Sequence, residues 1–308
     1  MESKNNWKAW LYLAPVLILM SIFTFYPLIN TFFISFLKNF DYRSGANSGF
    51  TFDNYGIVLG ITEKVAGIPE SKVTEFVQYA LPNTFLVTFI TVPISIILSL
   101  LIAIGINNVK WFKKGLQTIF FMPYVTNIIA VGMVFSVIFG DNGIFNFIFG
   151  LSGTKWVTES ASWQNSMTIL CLYIIWSALP YKILIFSSGL QNIDKQYYDA
   201  AKIDGSNKWK TTMKITIPLL SPQILYIMIT SFIGAFKEYN AVVGLFNRNY
   251  TDSGNVHDLT TVVYYIYQQL EGNNPQMHIA AAGAVILFAI IMVFTFVQMR
   301  VSKKRVHY

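Results

Sequence analysis

Long uncharged apolar runs alternate with short polar stretches along almost the whole chain. Six of the runs reach bilayer length, which takes roughly 20 apolar residues. They cover residues 9–37, most of 76–109 and 115–140, 160–181 and a little beyond, 221–244, and most of 272–299. None alternates with period two. "PISIILSLLIAIGI" (residues 93–106) is apolar on every side, whereas a strand barrel needs alternation. The pattern predicts an all-α polytopic membrane protein with six transmembrane helices. The first run holds 29 uncharged residues behind Lys4 and Lys8. A cleaved signal has an apolar region of roughly 7–15, so this run reads as a retained helix.

The loops set the orientation. With the N-terminus inside, the inner segments 1–8, 107–115, 188–220 and 300–308 carry 14 Lys and Arg, and the outer loops 38–82, 140–166 and 245–278 carry 6. Cytoplasmic loops are the richer in Lys and Arg, so both termini are expected in the cytoplasm. The outer loops mix aromatics with turn formers, as in "FTFDNYGIVLG" (50–60) and "GDNGIFNFIFGLSGTKW" (140–156). Such loops are expected to fold against the bundle or a partner, because free linkers are poor in aromatics.

One inner stretch differs from the rest. "DAAKIDGSNKWKTTMKITIPLLSP" (199–222) is mostly polar, with two carboxylates and four lysines. Asp194 can cap a helix over 195–204, and Gly205 is placed to end it in the left-handed region. A second helix can resume in "SNKWKTTMKIT", with Pro218 and Pro222 returning the chain to the membrane and Pro222 in the first turn of the fifth span. Ala200 and Ala201 form a smooth patch, and Tyr197, Tyr198 and Trp209 are anchors of the kind enriched at protein interfaces. Physics alone leaves two readings open: a docking element for another protein, or an amphipathic segment on lipid headgroups.

Composition narrows the function. The chain is 54% hydrophobic and 12% charged, where soluble domains carry about a quarter charged residues. The single Cys171 lies in an apolar run, and His257, His278 and His307 are scattered, so neither a disulfide framework nor a metal site is indicated. The net charge of +7 is divided between the two sides, so nucleic acid is not a partner. No constellation of His, Asp or Glu at one depth suggests a membrane enzyme, and no acidic residues sit at span centres as in an ion-coupled transporter.

A polar solute needs hydrogen-bonding or aromatic groups facing the interior of the bundle. In the fourth helix Ile174, Ala178 and Tyr181 share a face, and in the fifth Ser231, Gly234, Ala235 and Glu238 share one. Gly and Ala leave room, Tyr offers a flat ring face, and Ser and Glu bond hydroxyls; small residues serve close helix packing equally well. Lys182 and Lys237 are expected to snorkel toward opposite faces. Glu238 suits a cavity or a subunit seam.

The 199–222 stretch resembles the cytoplasmic loop of the membrane subunits of ABC importers, which runs Glu-Ala-Ala, two residues, Asp-Gly-Ala, then a spaced Ile and Pro. Here it is Asp199-Ala200-Ala201, Asp204-Gly205-Ser206, Ile215 and Pro218. Asp199 replaces the usual Glu, Ser206 the usual Ala, and Thr212 stands where an aromatic is common. "YLAPVLILMSIFTFYPLINTFFISF", "FDNY", "LPNTF", "WSALPYKI" and "AAAGAVILFAIIMVFTFVQMR" resemble the carbohydrate-uptake branch, with its maltose-type and glycerol-3-phosphate-type subunits. The resemblance implies one transmembrane domain over 1–308, with its core at about 76–300 and a coupling loop at 188–220. Tyr197, Tyr198, Asp199, Ala200, Ala201, Asp204 and Gly205 would form the coupling helix that engages a separate ATPase. The maltose-type subunits place sugar-facing positions on the two faces named above. The implied partners are a second permease subunit, two ATPase subunits, an extracytoplasmic solute-binding protein and the bilayer of a bacterial-type cytoplasmic membrane. Loops 140–166 and 245–278 are expected to help receive the binding protein. ATP and magnesium would belong to the ATPase subunits, since this chain has no G-x-x-x-x-G-K-[ST] phosphate loop and no cofactor of its own is expected. The alternative solutes for the same machinery are glycerol 3-phosphate, a polyamine or an amino acid.

Overall fold

The structure is a computed structural model and describes residues 6–61, 75–109, 112–151, 153–158, 160–246, 259–271 and 275–302. Among these the regular structure is helical, with one isolated antiparallel bridge between Leu37 and Phe50. Four helices are long and apolar enough to cross a membrane: α1 (Trp10–Ile34), α3 (Phe76–Asn108), α7 (Trp163–Gln191) and α13 (Met277–Ser302). Two further candidates are bent pairs: α4 (Lys113–Val125) with α5 (Ile128–Ile138) at 99°, and α9 (Lys208–Leu219) with α10 (Ser221–Phe236) at 66°. Short helices α2 (Asp53–Val58), α6 (Ile144–Phe149), α8 (Lys195–Ile203), α11 (Asn240–Phe246) and α12 (Val262–Leu270) lie between them.

The six apolar runs are therefore four long helices and two bent pairs, with the breaks at identifiable residues. In the third run, Pro123 lies in a 3-10 turn, and the Asn127 side chain caps α5 by accepting from the backbone N–H groups of Ile129 and Ala130. In the fifth, the helix expected to reach residue 244 stops at Phe236 and resumes as α11. Prolines leave a second signature. Five-residue π turns at Ser21–Phe25, Phe76–Ala80 and Thr212–Thr216 each run into an α-helical turn with proline at its second position, Pro27, Pro82 and Pro218. Proline cannot donate to the carbonyl four residues back and its ring crowds that carbonyl. Widening the ladder by one residue relieves the collision. Pro15, Pro93 and Pro180 sit inside α-helix without such a turn.

By packing, the chain divides into two units, Met1–Val77 with Tyr265–Ala289, and Gln78–Tyr264 with Ile290–Tyr308. In the first unit the "FDNY" segment clamps the end of α1. The Asn54 side-chain amide donates to the carbonyls of Ser35 (2.8 Å) and Leu37 (2.9 Å), and the Tyr55 and Ser35 hydroxyls bond at 2.7 Å. The Phe36 ring packs against Phe50, Phe52 and Tyr55, each at 5.3 Å.

The second unit is built on α3 against α7. One apolar cluster joins Val87 to Met167, Leu170 and Ile174, and another joins Ala103 and Ile106 to Ile183, Phe186 and Leu190. Residue numbers rise together in both helices, so α3 and α7 run parallel. The chain between them must therefore travel back, which the bent pair α4–α5 does. α10 runs against α3, with Phe85 on Phe236 (5.5 Å) and Phe89 on Phe232 (5.7 Å). α5 crosses α11 at two glycines: a Cβ on Gly132 would stand 2.7 Å from the Gly244 carbonyl carbon. The "LPNTF" segment fixes a distant strap: Asn83 donates to the Thr260 carbonyl (3.1 Å), and the Thr84 hydroxyl accepts from the Val262 N–H (2.9 Å).

Candidate functional site

The polar hairpin follows α7, at the end of the second unit where α3 also finishes. Asp194 caps α8 by accepting from the Gln196 N–H at 2.9 Å. The end of α8 has two crossed bonds, Ser206 N–H to the Ala201 carbonyl (2.9 Å) and Gly205 N–H to the Lys202 carbonyl (3.1 Å). They close a left-handed C-terminal cap, and Gly205 supplies it with φ +65°. Asn207 then caps α9, accepting from Lys210 N–H at 2.8 Å.

The residues of the expected docking patch differ in exposure. Ala200 is exposed and Ala201 is buried, and the two line one groove, Ala201 at its floor. The Tyr198 ring is half-buried, and its hydroxyl bonds the Thr216 hydroxyl at 3.3 Å, so Tyr198 ties α8 to α9. Tyr197, Asp199, Asp204 and Trp209 are exposed, and so is Ile203, whose side chain is 87% accessible. Ile203 was missed because an isoleucine at a helix end reads as core. Asp199 accepts from the Lys202 ammonium at 2.7 Å, which holds its carboxyl below the ordinary range. A 260 Å³ groove beside this face is lined by Tyr197, Ala200, Asp204, Lys210 and Lys214 among others.

The candidate solute residues separate. On α7, Ile174 is buried in the core cluster that contains Leu170 and Tyr173, while Ala178 and Tyr181 are half-buried. On α10, Gly234 is open, with nothing within 4 Å of a Cβ built on it; Ser231 is half-buried and Ala235 is 8% exposed. Ala235 turns inward because Phe232 and Phe236 pack on Phe85, Phe89 and Phe294. Glu238 does not continue the α10 face, since the helix has ended; its carboxylate caps α11 by accepting from Ala241 N–H (2.9 Å), and its carbonyl accepts from the Thr261 hydroxyl (2.7 Å). Lys182 does not snorkel: its ammonium is buried and donates to the Ser95 hydroxyl on α3. Lys237 is exposed at the end of α10.

Tyr181 is part of a cluster the sequence reading did not assemble. Its hydroxyl bonds that of Tyr226 on α10 at 2.9 Å, and its ring stacks on Tyr124 at 5.7 Å and 21°. Tyr124 and Tyr226 are about half accessible, at 52% and 48%. Two Pro-Tyr pairs, Pro123-Tyr124 and Pro180-Tyr181, thus bring their rings together. The third tyrosine continues along α10 into Thr230 and Gly234 at four-residue spacing, one stripe of the helix. Aromatic faces beside hydroxyls and an open glycine suit a flat, hydroxyl-rich solute. Among the described residues no three of His, Cys, Asp and Glu stand together as metal ligands.

Bent spans, parallel α3 and α7, and a capped hairpin where they end describe a multi-pass helical membrane protein. The chain belongs to the family described as "Binding-protein-dependent transport system inner membrane component", which matches residues 95–308. It is 29% identical over 302 residues to the lactose transport system permease protein LacF of Rhizobium radiobacter, covering 96% of this chain and 94% of that one. It is 31% identical over 300 residues to the arabinooligosaccharides transport system permease protein AraP of Bacillus subtilis (strain 168), covering 95% and 88%. Its fold is similar to a chain in the crystal structure of a bacterial ABC transporter involved in the import of the acidic polysaccharide alginate, with TM-score 0.77, 20% identity, and 98% and 96% of the two chains covered. The chain is thus a multi-pass membrane permease subunit of a binding-protein-dependent transport system.

Proposed function

We propose that the chain forms a single transmembrane domain that passes a sugar or oligosaccharide across the cytoplasmic membrane of a bacterial-type cell. The solute arrives on an extracytoplasmic binding protein. The chain pairs with a second, related permease, and two ATPase subunits supply ATP and magnesium chemistry. The observation that carries the carbohydrate reading is the near end-to-end alignment with two sugar-transport permeases. The Lys and Arg distribution supports both termini inside. The hairpin around α8 then faces the cytoplasm and serves as the coupling helix. Tyr197, Asp199, Ala200, Ile203 and Asp204 form its contact face, while Ala201, Gly205 and Tyr198 hold its shape. Tyr181, backed by Tyr124 and Tyr226, lies against the solute, with Ser231, Gly234 and Ala178 around it. Ile174, Ala235 and Glu238 support this wall from the protein side.

The test is uptake by the complete transporter in proteoliposomes, with the binding protein presented on the outside. ATP-dependent accumulation of a labelled oligosaccharide, lost without the binding protein, is the expected result. A binding protein that retains amino acids or polyamines and no carbohydrate overturns the solute assignment.

A further inference from the structure

The short helix α6 has its polarity inside out. Asn146, its central polar residue, is 4% exposed. The Asn146 amide donates to the carbonyls of Gly140 (3.5 Å), Asp141 (3.1 Å) and Thr154 (2.8 Å), and its side-chain oxygen accepts from the Trp156 indole N–H at 2.7 Å. The apolar residues point away from this network: Ile144 is 63% exposed, Phe147 89% and Ile148 67%. They lie at i, i+3 and i+4, one face of a helix. A helix on a water-facing loop carries the opposite arrangement.

The position of α6 decides what covers that face. Phe145 packs at 4.7 Å on Phe139, the residue that ends α5, and at 5.7 Å on Trp156. The helix is thus fixed where a membrane-spanning segment terminates. α5 itself exposes Met133, Val134 and Val137, the last at 73%. The apolar surface of the span is continued by α6 with no charged side chain on its exposed face. A docking surface for a soluble protein surrounds its apolar core with a polar rim. A rigid apolar face at the mouth of a span matches the lipid–water boundary.

We propose that α6 is a membrane-surface helix, with Ile144, Phe147 and Ile148 inserted among lipid chains just below the headgroups, and that it anchors the end of α5 in the bilayer plane. The Asn146 network keeps α6 in the orientation that presents those three side chains to lipid.

The test uses nitroxide labels on Phe147→Cys and Ile148→Cys in the complete transporter, in nanodiscs of phosphatidylethanolamine and phosphatidylglycerol. Asn142→Cys, on the exposed turn before α6, is the aqueous reference. Cys171 is buried and escapes labelling. Labels at 147 and 148 are expected to collide several-fold more with oxygen than with a water-soluble nickel complex, with the reverse ratio at 142. Free access of nickel to 147 and 148 overturns the proposal. So does protection at these positions that arises only when the binding protein docks, which would assign the face to that partner. Should the cysteine variants fail to assemble, Phe147→Trp gives a second reading. Its added fluorescence is quenched by brominated lipid chains if α6 lies in the membrane, and is untouched by them if it does not.

Discussion

The crossing of α5 and α11 makes a quantitative prediction. A Cβ added to Gly132 would stand 2.7 Å from the Gly244 carbonyl carbon and 2.8 Å from its Cα. Carbon atoms in contact rest at about 3.5–4.0 Å, so the helices must part by about 1 Å. The obstacle is backbone, with no flexible side chain to swing away. Overpacking of this kind costs about 1–3 kcal/mol, and the helical gain of alanine over glycine offsets about 0.5–1 kcal/mol of it. A Cβ on Gly244 meets Ile129 at 3.2 Å, a milder collision, and one on Gly105 meets nothing within 4 Å. The melting temperatures are therefore expected in the order Gly105→Ala, Gly244→Ala, Gly132→Ala, from highest to lowest. For a net cost of about 1–2 kcal/mol, Gly132→Ala is expected to fall about 2–8 °C below the parent, using about 2–4 °C per kcal/mol for a unit of this size. The assay is thermal unfolding of the purified transporter, followed by size exclusion after heating. If Gly132→Ala melts at or above Gly105→Ala, the close approach of the two backbones is wrong.

Gly205→Val forces a β-branched residue to φ +65° at about 1–2 kcal/mol or more of backbone cost; stimulated ATPase activity and uptake should fall with membrane levels unchanged, and Gly205→Asn should lose much less. A cysteine at Ile203 should crosslink to the ATPase subunit, while one at the buried Ala201 should not; labelling of Ile203 by lipid-phase probes regardless of the ATPase would favour the headgroup reading. Tyr181→Ala and Tyr226→Phe should raise the KM for uptake with basal ATPase activity intact, and parallel loss of stability and ATPase activity would make the cluster packing alone. The Asp199 carboxyl is held down by Lys202, so their pairing is complete above the ordinary aspartate range and is lost only as pH falls through the depressed value. Coupling should thus be flat between about pH 6 and 8. Because both side chains are largely exposed, Asp199→Asn should leave the melting temperature unchanged.

Helix content, the capped end of α8 and the glycine that closes it were legible because each rests on local chemistry. Asp194 and Gly205 act within one helical turn of themselves. The breaks were less legible. Residues 115–140 carry no charge and are mostly apolar, and hydropathy does not register that Asn127 restarts the helix with its own side chain. The α10 face was assigned by periodicity and by resemblance, and periodicity names faces without saying which one a neighbour covers. Phe85 and Phe89, over 140 residues away in sequence, cover the Ala235 side and leave Gly234 open. Tyr124 and Tyr226 were missed for the same reason. Neither lies on the two faces singled out in the sequence, and the cluster exists only once α4, α7 and α10 are packed. "FDNY" and "LPNTF" served as family marks in the sequence, yet their physical content is structural: asparagine amides and hydroxyls that hold loops to helix ends.

The two halves of the proposed mechanism meet at one residue. α9 turns into α10 through Leu220, which is fully buried against Phe186 and Leu190 at the end of α7. A Cβ on Gly189 would collide with the Leu220 side chain at 2.8 Å, so the glycine lets the bend sit directly on α7. The bend at Leu220 is thereby packed on α7 rather than open to solvent. Tyr226 lies six residues beyond Leu220, about 9 Å along α10, and is bonded to Tyr181 on α7. Tilting α9 and α10 together about Leu220 by about 20° moves Tyr226 by about 3 Å, enough to break a hydroxyl pair set at 2.9 Å. Under the proposed coupling, a push on α8 and α9 from the ATPase therefore reaches the tyrosines through a lever of about two helical turns. Under the same proposal the Tyr181–Tyr226 bond would belong to only one of two arrangements, and a change at the hairpin would become a change in the proposed solute wall.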